Sequence, residues 1–275
     1  TATNIFLANA QGKTIGVTGT KGKSTTSTLI YEMLKKEGLE VYLGGNIGKS
    51  ALEFINNLED DSWTVLEMSS FQLLDLTSSP HIAVLLMIAN EHLDYHKTYK
   101  NYLDAKRNIF RFQKASDFAI LNRDYPASHK SDIYTLGKVF LVSRERECES
   151  GCFVKDGYIW VSIDGKKERV IKIEDIKLLG AHNLGNVCAA VMVSLVVGAA
   201  KEAIISVLKT FSGLPHRIEF AGEKDGVRFI NDSLSTIPQA TIEALKTYPD
   251  TETLIAGGHD RGLDFKILGE YLAKT

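Results

Sequence analysis

The sequence predicts an α/β fold built on a phosphate-binding loop, and three observations carry that expectation. A short apolar run at residues 14–17 leads into a glycine-rich loop, and apolar residues at helical spacing follow it. The same alternation of strand and helix continues to about residue 121, as a largely parallel sheet covered by helices on both faces requires. From 139 to 173 the pattern changes to short alternating segments, which predict a small antiparallel β excursion.

Taken in order, residues 14–17 form the first strand and 26–37 the first helix, with Leu29, Ile30, Met33 and Leu34 on one face and Gly38 closing it. Residues 41–43 make a second strand, 44–48 a second glycine-rich turn and 50–58 a helix. Further strands fall at 63–67, 82–88 and 118–121, with a helix over 99–112 between the last two. Within the excursion, 157–165 is the clearest strand and turn, and 143–151, rich in Arg and Glu, is a solvated loop. Helices over 183–197 and 201–211 precede Ser212-Gly213-Leu214-Pro215, which marks a domain boundary. Beyond it come a hairpin of 218–223 and 227–231, a helix over 239–247, a strand at 253–256 and Gly257-Gly258. The expected division is a first domain at 1–213 and the opening part of a second α/β domain at 214–275, too short to close a typical parallel sheet.

Bulk properties exclude several partners. With 32 Lys and Arg against 34 Asp and Glu among 275 residues, the net charge is -2, so no basic field exists to hold nucleic acid. The longest apolar runs, such as 82–89, fall far short of the roughly 20 residues that span a bilayer, and no signal peptide opens the chain. A soluble cytoplasmic protein without membrane contact is expected. Cys148, Cys152 and Cys188 form no CxxC pair and are expected to be reduced thiols.

The chemistry concentrates in Gly19-Thr20-Lys21-Gly22-Lys23-Ser24-Thr25. Polyphosphate binding needs converging backbone N-H groups, glycines where a Cβ would block the anion, and a helix N-terminus behind them. In such a loop Lys23 faces the β and γ phosphates and the Ser24 hydroxyl ligates Mg²⁺. Val17 stands where the general template has its first glycine, so a plain glycine-rich turn is the competing reading. Glu67, ending a strand, is either a metal ligand or a surface acid. Glu91-His92 follows the strand at 82–88; His96 lies four residues on, which suggests either a two-histidine zinc site without a third ligand or a short turn, and His92 alone is favoured. Lys106 falls within the apolar stripe Tyr99, Tyr102, Leu103, Ile109 and Phe110. Either it snorkels to the surface, or it points inward and burial leaves a neutral, reactive amine.

Together and in this order, the loop at 19–25, Glu67-Met68-Ser69-Ser70, His92, Lys106, residues 182–186, Leu214-Pro215-His216-Arg217 and Asn231-Asp232-Ser233 resemble the Mur ligases, ATP-dependent amide ligases of peptidoglycan precursor synthesis. Residues 44–48, 69–73 and Gly257-Gly258 with Asp264-Phe265 are most similar to the D-glutamate-adding branch. The resemblance implies three domains: one for the UDP-sugar, a central ATPase, and a Rossmann-like one for the amino acid. On that pattern the first is expected to be missing here and the third cut short, leaving a piece that does not turn over alone.

It further implies that UDP-N-acetylmuramoyl-L-alanine reacts with ATP to give an acyl phosphate that D-glutamate then displaces. Lys23, His92 and Lys106 would be the catalytic set. Gly19, Thr20, Lys21, Gly22, Lys23, Ser24 and Thr25 would hold ATP, with Asn186 at the adenine and Arg217 and Asp232 at phosphate and ribose. Ser24 and Glu67 would bind one Mg²⁺, and His92 with a carbamylated Lys106 the second. Asn46, Ser69 and Arg261 would contact the substrates. Two departures stand out: Leu234 occupies a position that is often lysine, and Arg261 replaces a lysine expected at the D-glutamate carboxylate, where arginine can clamp with two donors. A monomer is expected. Competing readings are another Mur ligase, a folylpolyglutamate synthase, or an ATP-sensing module, which would not need Glu67, His92 and Lys106.

Overall fold

The computed structural model describes residues 1–89, 91–259 and 263–274. Its elements run α1 (Ala2–Asn9), β1 (Lys13–Thr18), α2 (Lys23–Glu37), β2 (Val41–Gly45), β3 (Trp63–Glu67), α3 (Ser70–Leu73), β4 (Ile82–Leu85), α4 (Leu93–His96), α5 (Tyr99–Arg107), β5 (Phe118–Asn122), α6 (Pro126–His129), β6 (Lys138–Ser143), β7 (Gly151–Lys155), β8 (Tyr158–Ile163), β9 (Lys166–Lys172), α7 (Asn183–Val197), α8 (Lys201–Thr210), β10 (Glu219–Lys224), β11 (Val227–Asn231), α9 (Pro238–Thr247) and α10 (Lys266–Leu272). They fall into two compact units, 1–176 with 184–210, and 177–183 with 211–275.

The first unit is organised by one nine-stranded sheet in the order β2-β3-β1-β4-β5-β6-β7-β8-β9. Strands β2 to β7 pair in parallel, whereas β7, β8 and β9 pair antiparallel. The antiparallel segments therefore extend the main sheet. They do so because Cys152, Phe153 and Ile159 are fully buried and continue its core. Alternation of side chains along the strands loads both faces. Leu66, Ala83, Leu85, Ala119 and Leu121 meet Phe6, Phe54, Tyr102, Ile109 and Phe110 on one face. Val17, Val65, Val84 and Ile120 point to the other face, where α2 lies and Ser194 of α7 bonds to Met33.

Helix α1 has no counterpart among the expected elements, since its eight residues are too few to show a periodic stripe; Phe6 is its fully buried apolar anchor, packing edge-on to Phe54, while Asn4 donates to Asp75 O at 2.6 Å. The helix expected over 50–58 resolves into two 3-10 turns, Ala51–Glu53 and Ile55–Asn57, because the packing of Phe54 against Gly44 interrupts it. Strand β4 ends at Leu85, three residues early, as the chain then peels toward the loop after β1 through Leu86 N to Thr18 O and Thr20 N to Met87 O. Likewise α5 ends at Arg107 and tightens into a 3-10 turn at Asn108–Phe110.

In the second unit β10 and β11 form the hairpin, with α9 packed on α10. No strand forms at 253–256. A strand needs a ladder partner, and among the described residues the hairpin is that unit's only sheet; Ile255 is accordingly 94% exposed. All three cysteines are buried free thiols.

The anchoring of α1 is testable by two adjacent substitutions. Phe6→Ala should lower stability to urea by about 3 kcal/mol through the cavity it opens. Ile5→Ala, at an exposed position of the same helix, should change it by less than about 0.5 kcal/mol. Equal effects would show that α1 does not dock through Phe6.

Candidate functional site

The site grows from the carboxyl ends of three adjacent strands, where β1 lies between β3 and β4 and the strand order reverses direction. Such a switch point opens a crevice beyond the strand ends. Into it β1 delivers the loop 19–22, followed at once by α2, whose free N-H groups and dipole favour an anion. Gly22 is the N-cap of α2 in the left-handed region at φ 89°, and a Cβ there would lie 2.2 Å from Asn186 Oδ1. Glycine is thus required twice over, by the backbone and by the first turn of α7 pressed against the loop. Asn186, expected at a nucleotide's adenine, is brought to the loop by that contact.

Neighbouring chain stitches the loop down. Thr18 Oγ1 donates to Met68 O at 2.8 Å, beyond β3. On the other side Thr20 Oγ1 donates to Ala89 O at 3.1 Å and accepts from Ala89 N at 2.9 Å, beyond β4. Lys23 Nζ folds back on the carbonyls of Gly19 and Thr20, both at 3.1 Å. Ser24 and Thr25 occupy the first turn of α2, the former half-buried and the latter buried.

Glu67 is 3% exposed at the end of β3. Its Oε1 accepts from Asn46 Nδ2 at 3.0 Å, and Asn46 N donates to Glu67 O at 2.9 Å, so the turn after β2 and the end of β3 are one structure. Oε2 is buried and has no hydrogen-bond partner among the described residues. A buried carboxylate oxygen without a donor is costly, and a cation would satisfy it. One carboxylate beside a phosphate loop suits Mg²⁺, which keeps several waters and takes substrate phosphate oxygens for the rest of its shell.

Lys106 is 2% exposed, so it points inward and does not snorkel. Its Nζ donates to Gly19 O at 2.9 Å and Thr18 Oγ1 at 3.3 Å, and lies 4.8 Å from the centre of the Tyr102 ring. Burial, reinforced by the charge of Lys23, pushes its pKa well below the ordinary lysine value. Helix α5 thereby carries an amine poised to be neutral to the underside of the phosphate loop.

His92 is exposed with φ 55°, its Nε2 3.9 Å from Glu91 Oε2, and its ring meets Phe71. Among the described residues the carboxylate group with metal-ligand spacing is Glu40, Glu59 and Asp61, all exposed at the opposite ends of β2 and β3. The short turn between the two histidines is α4, and His96 is buried with Nε2 2.9 Å from Ser70 Oγ, while desolvation lowers its pKa.

Ser69 caps α3, bonded to Gln72 in a reciprocal capping box. Arg217 and Asp232 belong to the second unit, where Asp232 Oδ1 accepts from Ile218 N at 3.0 Å in the segment that carries Arg217. Arg261 lies outside the described residues. Sequence reasoning missed the part played by Tyr102, read only as a core position. Its hydroxyl is 3.0 Å from Thr20 Oγ1, and burial raises its pKa. The four-residue spacing to Lys106, placing both on one face of α5, was the available signal.

The family model of the Mur ligase middle domain matches residues 17–194. A UDP-N-acetylmuramoylalanine--D-glutamate ligase of Thermoanaerobacter sp. is 41% identical over 250 residues, covering 90% of this chain and 55% of that protein. One from Geobacillus kaustophilus is 44% identical over 268 residues, covering 97% and 58%. The chain thus spans little more than half the length of these relatives. In fold it is similar to a MurF ligase from Thermotoga maritima solved in complex with ADP, with a TM-score of 0.66 at 24% identity, covering 89% of this chain and 59% of that one. No helix among the described residues is long and apolar enough to cross a membrane.

The state of Lys106 sets a pH dependence. Above its lowered folded pKa the native amine is neutral, while the unfolded chain still binds a proton up to the ordinary value of 10.5. Unfolding then takes up a proton, so stability rises with pH across that window. As pH rises toward 10.5 the protein should gain stability relative to Lys106→Met by up to about 1.4 kcal/mol per pH unit, read from urea midpoints. Parallel pH profiles would contradict a neutral buried amine.

Proposed function

The chain belongs to the Mur ligase family, and from that premise we propose that it is the ATP-using part of an amide ligase that adds D-glutamate to UDP-N-acetylmuramoyl-L-alanine. The observation that carries the reading is the buried Glu67 Oε2, unpartnered among the described residues, beside a phosphate loop that ends in Lys23 and Ser24. The names of the 41% and 44% identical relatives support D-glutamate as the amino acid.

In this reading a carboxylate oxygen of the UDP-sugar peptide attacks the γ-phosphorus of ATP, the bond to the bridging oxygen breaks, and ADP leaves. The amine of D-glutamate then attacks the acyl carbon, loses a proton, and inorganic phosphate departs with the electrons of the acyl C-O bond. Positioning and charge neutralisation supply most of the rate enhancement in such transfers. Lys23 releases its loop carbonyls and turns to the transferring phosphoryl group. Ser24 and Glu67 hold Mg²⁺, which when bound draws charge from the phosphate oxygens. His92, and Lys106 as its carbamate, are the candidates for a second ion; a neutral inward amine suits reaction with carbon dioxide. Asn46, fixed by Glu67, and Ser69 line the approach of the UDP-sugar peptide, and Arg261 clamps the D-glutamate carboxylate. Asn186, Arg217 and Asp232 contact the nucleotide.

The intact protein should release phosphate from ATP only when both UDP-N-acetylmuramoyl-L-alanine and D-glutamate are present, and Lys23→Ala should lower kcat by at least about 100-fold. Equal turnover with meso-diaminopimelate, or with a folate acceptor, would overturn the assignment.

A further inference from the structure

Glu91 sits between Lys21 of the phosphate loop and His92. It follows β4 on the loop that flanks the phosphate loop. Its Oε1 lies 3.2 Å from Lys21 Nζ, and the two side chains are only 17% and 24% exposed, so solvent screens this pair less than a surface one. Its Oε2 faces His92 Nε2 at 3.9 Å. The pair closes a clasp already begun by the hydrogen bonds of Thr20 to Met87 and Ala89. Lys23 and Lys106 lie close enough that the charge of Lys23 disfavours protonated Lys106, and the charges of Glu91 and Glu67 favour it. Glu91 is therefore the counter-charge that these lysines meet on the β4 side.

We propose that Glu91 is a positioning residue for the phosphate-transfer step: one carboxylate oxygen fixes the Lys21 ammonium and the other fronts the His92 imidazole, so that the loops after β1 and β4 meet the nucleotide as one preorganised cradle. The inference rests on the ligase reading for its kinetic form. A carboxylate beside a phosphate site repels the nucleotide, so a group kept there for binding alone would be detrimental. A positioning group predicts a split instead. Its removal relieves repulsion and leaves ATP affinity equal or tighter, while turnover falls because Lys21 and His92 lose their orientation.

The test is a double-mutant cycle of Lys21→Gln and Glu91→Gln in the intact protein, read as kcat, KM for ATP, and Kd for a fluorescent ADP analogue. Glu91→Gln should lower kcat at least tenfold with KM for ATP unchanged or reduced. Glu91→Asp should recover part of the loss, and the double variant should be no slower than Lys21→Gln. Retention of kcat within twofold, a rise in KM alone, or losses that multiply in the double variant would overturn the proposal. The binding arm needs no ligase activity: Lys21→Gln should weaken the ADP analogue less when Glu91 is already Gln. If the intact protein ligates nothing but this coupling is seen, the ligase reading fails and the clasp stands; if binding effects are independent, the clasp fails.

Discussion

The nucleotide end of the sheet depends on one constraint, that β1 is flanked by parallel strands on both sides. Its last residues pair with β3 and β4, and the chain leaving it is bonded at once to segments beyond each: Thr18 to Met68, Thr20 to Met87 and Ala89. A loop held from two sides has few conformations left. Its N-H groups are then aimed before any anion arrives, and the entropy of ordering them is spent during folding and not during binding. The early end of β4 is part of the same arrangement, because its following residues leave the sheet to become the loop's second wall.

Charge within that rigid frame is balanced locally. Lysines converge from the loop and from α5, and Glu67 and Glu91 stand on either side of them. Burial makes neutrality the easier state for Lys106, and its two hydrogen bonds to Gly19 O and Thr18 Oγ1 are ones that a neutral amine can still donate. The Glu67 oxygen that has no hydrogen-bond partner among the described residues completes the pattern: the frame places one buried carboxylate oxygen beside an anion-binding loop, where a cation would satisfy it.

How much of this could be read in the sequence varies with how local the signal is. The loop, β1, α2 and its Gly38 cap were legible, because strand period, glycine placement and helix period all lie within 25 residues. The apolar stripe raised an inward Lys106 beside snorkelling, and only its burial in the fold decides between them. Local signals failed where a distant contact decides the outcome. The 3-10 turns near Phe54 and the loss of a strand at 253–256 follow from packing and from ladder partners that period alone cannot supply. The attachment of β7, β8 and β9 to the main sheet depends on β6 pairing with β7 across an intervening loop. In the site, Tyr102 and Glu91 were passed over because a core tyrosine and a strand-end acid have ordinary explanations until their partners, Thr20 and Lys21, are seen beside them.

The proposed function requires the phosphate loop and Glu67 to form a Mg²⁺-nucleotide site. Calorimetric titration of ADP with and without Mg²⁺, on the protein and on Glu67→Gln, measures it most directly. Such a site predicts that Mg²⁺ strengthens ADP binding to the protein at least tenfold, and that this enhancement, but not metal-free binding, is lost in Glu67→Gln. An equal Mg²⁺ enhancement in both, or none in either, would contradict it.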